Sequence, residues 1–166
     1  MSLHELYSPL VLAHYKKPHN FGEIKDAEIV SKGTHKSCGD DVEIFIKLDG
    51  EVVKEIKFVG RGCALSQSSA SIMTDQLCGK TLSEALEMVR DFNRMLNGEK
   101  EFPDTEEFRE LVAFKGVRKF PVRAMCASLA WITMENGVVE YRARRNGLDP
   151  QQVRKENTIK PPTSGG

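Results

Sequence analysis

Cys38, Gly39 and Asp40 place a thiol and a carboxylate two positions apart, with glycine between them. Glycine accepts backbone angles that other residues avoid, so both side chains can turn toward one point as half of a metal site. Taken alone, the tripeptide reads more simply as an ordinary turn. The remaining cysteines are Cys63, Cys78 and Cys126. No Cys-x-x-Cys pair occurs, so neither a zinc ribbon nor a dithiol redox motif is available. Any metal site has to be assembled from distant segments.

The 166 residues suit one domain with its own core, assigned to residues 1–145, followed by a flexible tail over 146–166. Lys plus Arg (24) balance Asp plus Glu (24), so no overall field favours nucleic acid or an anionic membrane. No apolar run approaches the length of a membrane span. Met1 to Ser8 carries a histidine and a glutamate where a signal peptide needs an apolar stretch. A cytoplasmic location is expected, reducing enough to keep the cysteines as thiols. Their uses are then packing, metal binding or nucleophilic sulfur.

The elements that must position these residues are legible from their periods. Apolar residues at helical spacing run from Leu3 to His14, with either Ser8 capping a helix that has Pro9 in its first turn or a longer helix bending there. Val42, Ile44, Ile46 and Leu48 alternate with polar positions as a half-buried strand, and Asp49-Gly50 signals a hairpin. A three-residue loop, Asp49 to Glu51, pairs Leu48 with Val52, Ile44 with Ile56 and Val42 with Phe58, which keeps one face apolar. An earlier strand around Ala27 to Lys32 completes a small antiparallel sheet.

This hairpin has a chemical consequence. Cys38 and Asp40 precede its first strand and Cys63 follows its second, so antiparallel pairing brings them together. Ala64 to Leu77 reads as a helix rich in small residues, with Cys63 at its N-terminus, where free amides and the dipole favour a thiolate. Cys78 is expected to be a buried small apolar residue. Thr81 to Glu84 fits a capping box opening the next helix. A short helix follows Asp104 or Thr105, and a further helix opens at Pro121 and runs through Trp131, with Cys126 a little over one turn in. Helical signals fade beyond Asn136. Arg142, Arg144 and Arg145 read as a solvated face rather than a phosphate site, and 160–166 as disordered by composition.

At these residues the sequence resembles the IscU/SufU family of iron–sulfur cluster assembly proteins, and more specifically its SufU branch. Leu6 to Gly22, Cys38-Gly39-Asp40, Gly60 to Thr74 and Pro121 to Trp131 carry the resemblance, in the family's order. It implies an α+β fold in which an antiparallel sheet of about three strands packs against several helices. It also implies four metal ligands: Cys38, Asp40, Cys63 and Cys126. The long segment between Cys63 and Cys126, and Met125 in place of a histidine, are similar to SufU rather than IscU. Two departures stand out. Thr34 to Ser37 replaces a proline-containing approach to the first cysteine, which makes His35 a spare donor. Ala13 and His19 stand where aspartate and arginine are common.

Three thiolates and a carboxylate suit tetrahedral zinc, and Asp40 is the corner most readily vacated. Arg123, one turn before Cys126, is a cationic neighbour for so negative a site. The leading expectation is a zinc-dependent sulfur-transfer protein that takes persulfide sulfur from a SufS-type cysteine desulfurase and passes it to downstream iron–sulfur assembly proteins. Cys38, on a loop, is the acceptor. The alternative is a scaffold on which the same four ligands hold a labile [2Fe–2S] cluster. A structural zinc protein without sulfur chemistry is the third reading.

Overall fold

The computed structural model describes residues 6–149. Three strands, β1 (Ile29–His35), β2 (Asp40–Asp49) and β3 (Val52–Arg61), form an antiparallel sheet in sequential order. Five helices follow the expected stripes: α1 (Pro9–Lys16), α2 (Ala64–Leu77), α3 (Leu82–Leu96), α4 (Arg109–Val112) and α5 (Pro121–Arg145). This is the expected α+β architecture.

Helix α1 takes the first of its two sequence alternatives. The Ser8 hydroxyl accepts the backbone N–H of Val11 at 3.3 Å, and Pro9 occupies the first turn, where its missing N–H costs nothing. Leu3 and the 160–166 tail lie outside the described residues. Helix α3 opens with the expected capping box, Thr81 and Glu84 each bonding the other's backbone N–H.

The β2–β3 register differs from expectation. The loop is Gly50-Glu51, Asp49 pairs with Val52, and a bulge at Lys54 then moves the pairing, so Ile46 meets Ile56 and Ile44 meets Phe58. A bulge puts two residues of one strand opposite one of the other. Here it lets Val53 and Ile56, an odd number apart, both point into the core. Relative to the expected register, the strands slide by two positions. A slip of two keeps every side chain on its face, so the apolar face survives.

That face carries Ile44, Ile46, Ile56 and Phe58, all buried against α2 and α5. Full burial of side chains of this size contributes roughly 1.5–3 kcal/mol each. Helix α5 is longer than its sequence signals suggest, because Gly137 is there for packing rather than to end the helix. A Cβ at Gly137 would lie 2.8 Å from Ser31 Cβ and 2.9 Å from Ile29 Cγ2, so glycine lets α5 approach β1.

The small residues of α2 serve the same end. Ser69 donates its hydroxyl to the Ala127 carbonyl at 2.5 Å and accepts Trp131 Nε1–H at 2.9 Å. Trp131 in turn stacks on Phe92 of α3, with ring centroids 4.1 Å apart. These contacts fix the first turns of α5, and Cys126 with them. Cys78 departs from expectation: it is exposed at the end of α2, beyond the last core residue Leu77, with its S–H toward the Lys54 carbonyl. Arg142 reaches Ser83 and Glu51, and Arg145 lies over Tyr141, as expected of a solvated face.

Candidate metal centre

Strands β1 and β2 are joined by a tight connection in which Lys36, Ser37 and Cys38 form one 3-10 turn and Gly39 reverses the chain with φ 67°. Strand pairing sets His35 opposite Asp40 across this hairpin. The turn raises Cys38, half-buried, beside the fully buried Cys126 of α5, and the two sulfurs lie 3.2 Å apart. Asp40 is 1% exposed. Its Oδ1 accepts the backbone N–H of Cys63 at 2.9 Å, while Oδ2 lies 3.9 Å from Cys63 Sγ and 4.0 Å from His35 Nδ1. Gly62 permits this approach, since a side chain there would run into the Asp40 carboxylate.

Donor atoms of His35, Cys38, Asp40 and Cys126 all lie within 4.8 Å of one another. Cys63 joins this group through Asp40. Three of the four residues expected as ligands, Cys38, Asp40 and Cys126, thus fall in one group with His35, and Cys63 borders it at Asp40. A fifth donor, His35, is better placed than its sequence position suggests, with Nδ1 3.9 Å from Cys126 Sγ. Its signal was the replaced approach to Cys38. The strength of that signal depends on the β1–β2 pairing, which a first strand ending at Lys32 does not supply. Cys78 takes no part in the group.

The electrostatics fit a dication. The Cys63 thiol is held down to about 6, chiefly by its hydrogen bond with Cys126 and then by the backbone N–H groups of Ser66 and Leu65 at the start of α2; burial and Asp40 oppose this. The Cys126 thiol is pushed far up, first by its bond with Cys63, then by burial, Cys38 and Asp40. Sulfurs crowded in this way cannot all ionise without a compensating cation. Arg123 contributes from outside. Tyr7 first, then Cys63, Cys126 and Cys38, hold its guanidinium above the usual range. Three sulfurs and a carboxylate oxygen are a donor set suited to tetrahedral zinc.

A three-stranded antiparallel sheet whose loop ends and helix starts converge on buried thiols and a carboxylate defines a class. Residues 6–147 match the NifU-like N-terminal domain, and the chain belongs to that family. Within it the SufU branch is supported. The chain is 40% identical to the zinc-dependent sulfurtransferase SufU of Bacillus subtilis (strain 168) over 139 residues, 84% of this chain and 93% of that one. It is 34% identical to the iron–sulfur cluster assembly scaffold protein IscU of Streptococcus pyogenes serotype M1, over 95% of this chain and 97% of that one. A crystal structure of FiSufU, a SUF-system protein of Fervidobacterium islandicum AW-1, superposes with a TM-score of 0.75 at 36% identity, covering 82% of this chain and 99% of that one.

Proposed function

We propose that this protein is a zinc-dependent sulfur carrier for iron–sulfur cluster assembly, and that Cys38 receives sulfur from a cysteine desulfurase. The observation that carries this reading is the unequal anchoring of the three clustered cysteines. Cys126 is buried in α5, and Cys63 is tied by its backbone to Asp40. Cys38 alone sits on a short hairpin turn, half-exposed, between Ser37 and a glycine. It can leave the cluster with the least rearrangement.

Cys38, Asp40, Cys63 and Cys126 would hold the zinc, which keeps bound thiols deprotonated at neutral pH. Cys38, released as a thiolate, attacks the terminal sulfur of the desulfurase persulfide. A new S–S bond forms at Cys38, the S–S bond of the donor breaks, and the donor cysteine leaves as a thiolate. The persulfide is transferred without net oxidation. His35, within reach of Asp40 and Cys126, is the donor in this chain best placed to take the position that Cys38 leaves. The desulfurase is proposed to be SufS-type, the final acceptors to be iron–sulfur assembly proteins, and the location cytoplasmic. None of the described helices is long and apolar enough to cross a membrane.

The second reading is a scaffold for a labile [2Fe–2S] cluster, favoured by the likeness to IscU of Streptococcus pyogenes. Metal analysis and absorption spectra of protein purified with and without oxygen separate the two. Colourless protein with one zinc per chain supports the carrier, and brown protein with iron and labile sulfide supports the scaffold.

A further inference from the structure

A second convergence of metal-binding side chains lies outside the thiol centre. His14 of α1, His19 of the following loop and Asp75 of α2 bring donor atoms within 4.8 Å of one another. The imidazole centroids are 4.4 Å apart. His19 Nδ1 lies 2.5 Å from Asp75 Oδ2, while Asp75 Oδ1 accepts the Asn20 amide at 3.1 Å, so the carboxylate is held with one oxygen turned toward the histidines.

The hydrogen bonds around His14 fix the orientation of its ring. Ser71 Oγ accepts the backbone N–H of His19 at 2.8 Å and lies 2.7 Å from His14 Nδ1. The Glu110 carboxylate can only accept, which makes Nε2 the protonated nitrogen and Nδ1 the acceptor of the Ser71 hydroxyl. An ion at Nδ1 takes the lone pair that accepts the Ser71 hydroxyl and displaces that hydrogen bond. A histidine whose far N–H is held by a carboxylate is the usual outer arrangement of a metal-bound imidazole. His14 is 5% exposed, whereas His19 and Asp75 reach solvent, which gives an ion its entry and leaves positions for water.

We propose that His14, His19 and Asp75 form a second divalent-metal site, built from two imidazole nitrogens and one carboxylate oxygen, with Glu110 as the positioning residue for His14. The donor set is free of sulfur and suits a first-row divalent cation such as Zn2+ or Co2+. His19, which stands where the resemblance leads one to expect arginine, is the residue that completes it. The site is independent of the sulfur-transfer reading, because none of its residues belongs to the thiol centre.

Tag-free protein already carrying one equivalent of zinc is titrated with Co2+ and followed by visible absorption and calorimetry. A second equivalent is expected, with d–d bands and no thiolate charge-transfer band. His19→Gln and Asp75→Asn, both at exposed positions, each lower that second affinity at least tenfold and leave the first zinc in place; Glu110→Gln lowers it about tenfold. Saturation at one equivalent in the unaltered protein overturns the proposal and identifies the cluster as a hydrogen-bonded clasp between α1 and α2. A second equivalent undiminished in either His19→Gln or Asp75→Asn also overturns it.

Discussion

Asp40 Oδ1 accepts the backbone N–H of Cys63 across 2.9 Å, so the carboxylate that opens β2 also anchors the N-terminus of α2. Asp40 thus has a structural task besides ligation, and two substitutions separate them. Asp40→Ala removes the acceptor and should cost the metal-free protein about 1–3 kcal/mol. Asp40→Asn keeps an oxygen for that N–H and should lose less than half as much, while both variants bind zinc more weakly. Urea unfolding of the apo proteins and zinc competition with a chromophoric chelator measure the two effects. Equal apo stability of the two variants contradicts the anchoring role.

Replacing Cys63 or Cys126 with Ala should abolish stoichiometric zinc binding. Cys78→Ala should leave it intact, since Cys78 is exposed and apart from the cluster. Cys38→Ala should retain weakened binding through His35, and the double variant with His35→Ala should lose it. Zinc retained equally by the single and double variants removes His35 as the spare donor.

Zinc joins segments far apart in the chain, so its binding free energy adds to the stability of the fold. At a thousandfold excess over Kd that is about 4 kcal/mol, which lowers Tm on the order of 10 °C when a chelator removes the ion. The core does not depend on the site, and helical circular dichroism at room temperature should persist. Outright unfolding on chelation contradicts this.

Glu135, 3% exposed on α5, is raised to about 7 by burial, against a weaker pull from Arg90 at 3.9 Å. A carboxyl whose folded value exceeds its unfolded value of 4.5 keeps its proton longer in the folded protein. Its contribution is therefore favourable at acid pH, declines between pH 4.5 and 7, and is flat above. Glu135→Gln should remove that decline and raise stability at pH 8 by about 2 kcal/mol. Denaturation series at pH 5 and pH 8 check it, and a variant no more stable at pH 8 refutes the assignment.

The presence of three strands, the capping box and the limits of α2 were legible because each rests on local patterning. Ser8 was one of two openings for α1, and the end of β1 at His35 lay beyond its pattern. The convergence of Cys38, Asp40 and Cys63 was legible too, since it needs only antiparallel pairing and not the exact register. What escaped notice depends on contacts between distant segments. The bulge at Lys54 is dictated by the need to bury Val53 and Ile56 together. The full length of α5 depends on Gly137 meeting Ile29 and Ser31. The exposure of Cys78 follows from where α2 stops relative to the sheet, which composition does not encode.

The central claim is that Cys38 receives the sulfur. The protein is mixed with a cysteine desulfurase and cysteine, the free thiols are blocked, and the added sulfur is mapped by peptide mass spectrometry. Persulfide on the peptide containing Cys38, and its loss in Cys38→Ser, is the predicted result. Persulfide chiefly on Cys63 or Cys126, with Cys38 unmodified, would contradict the account.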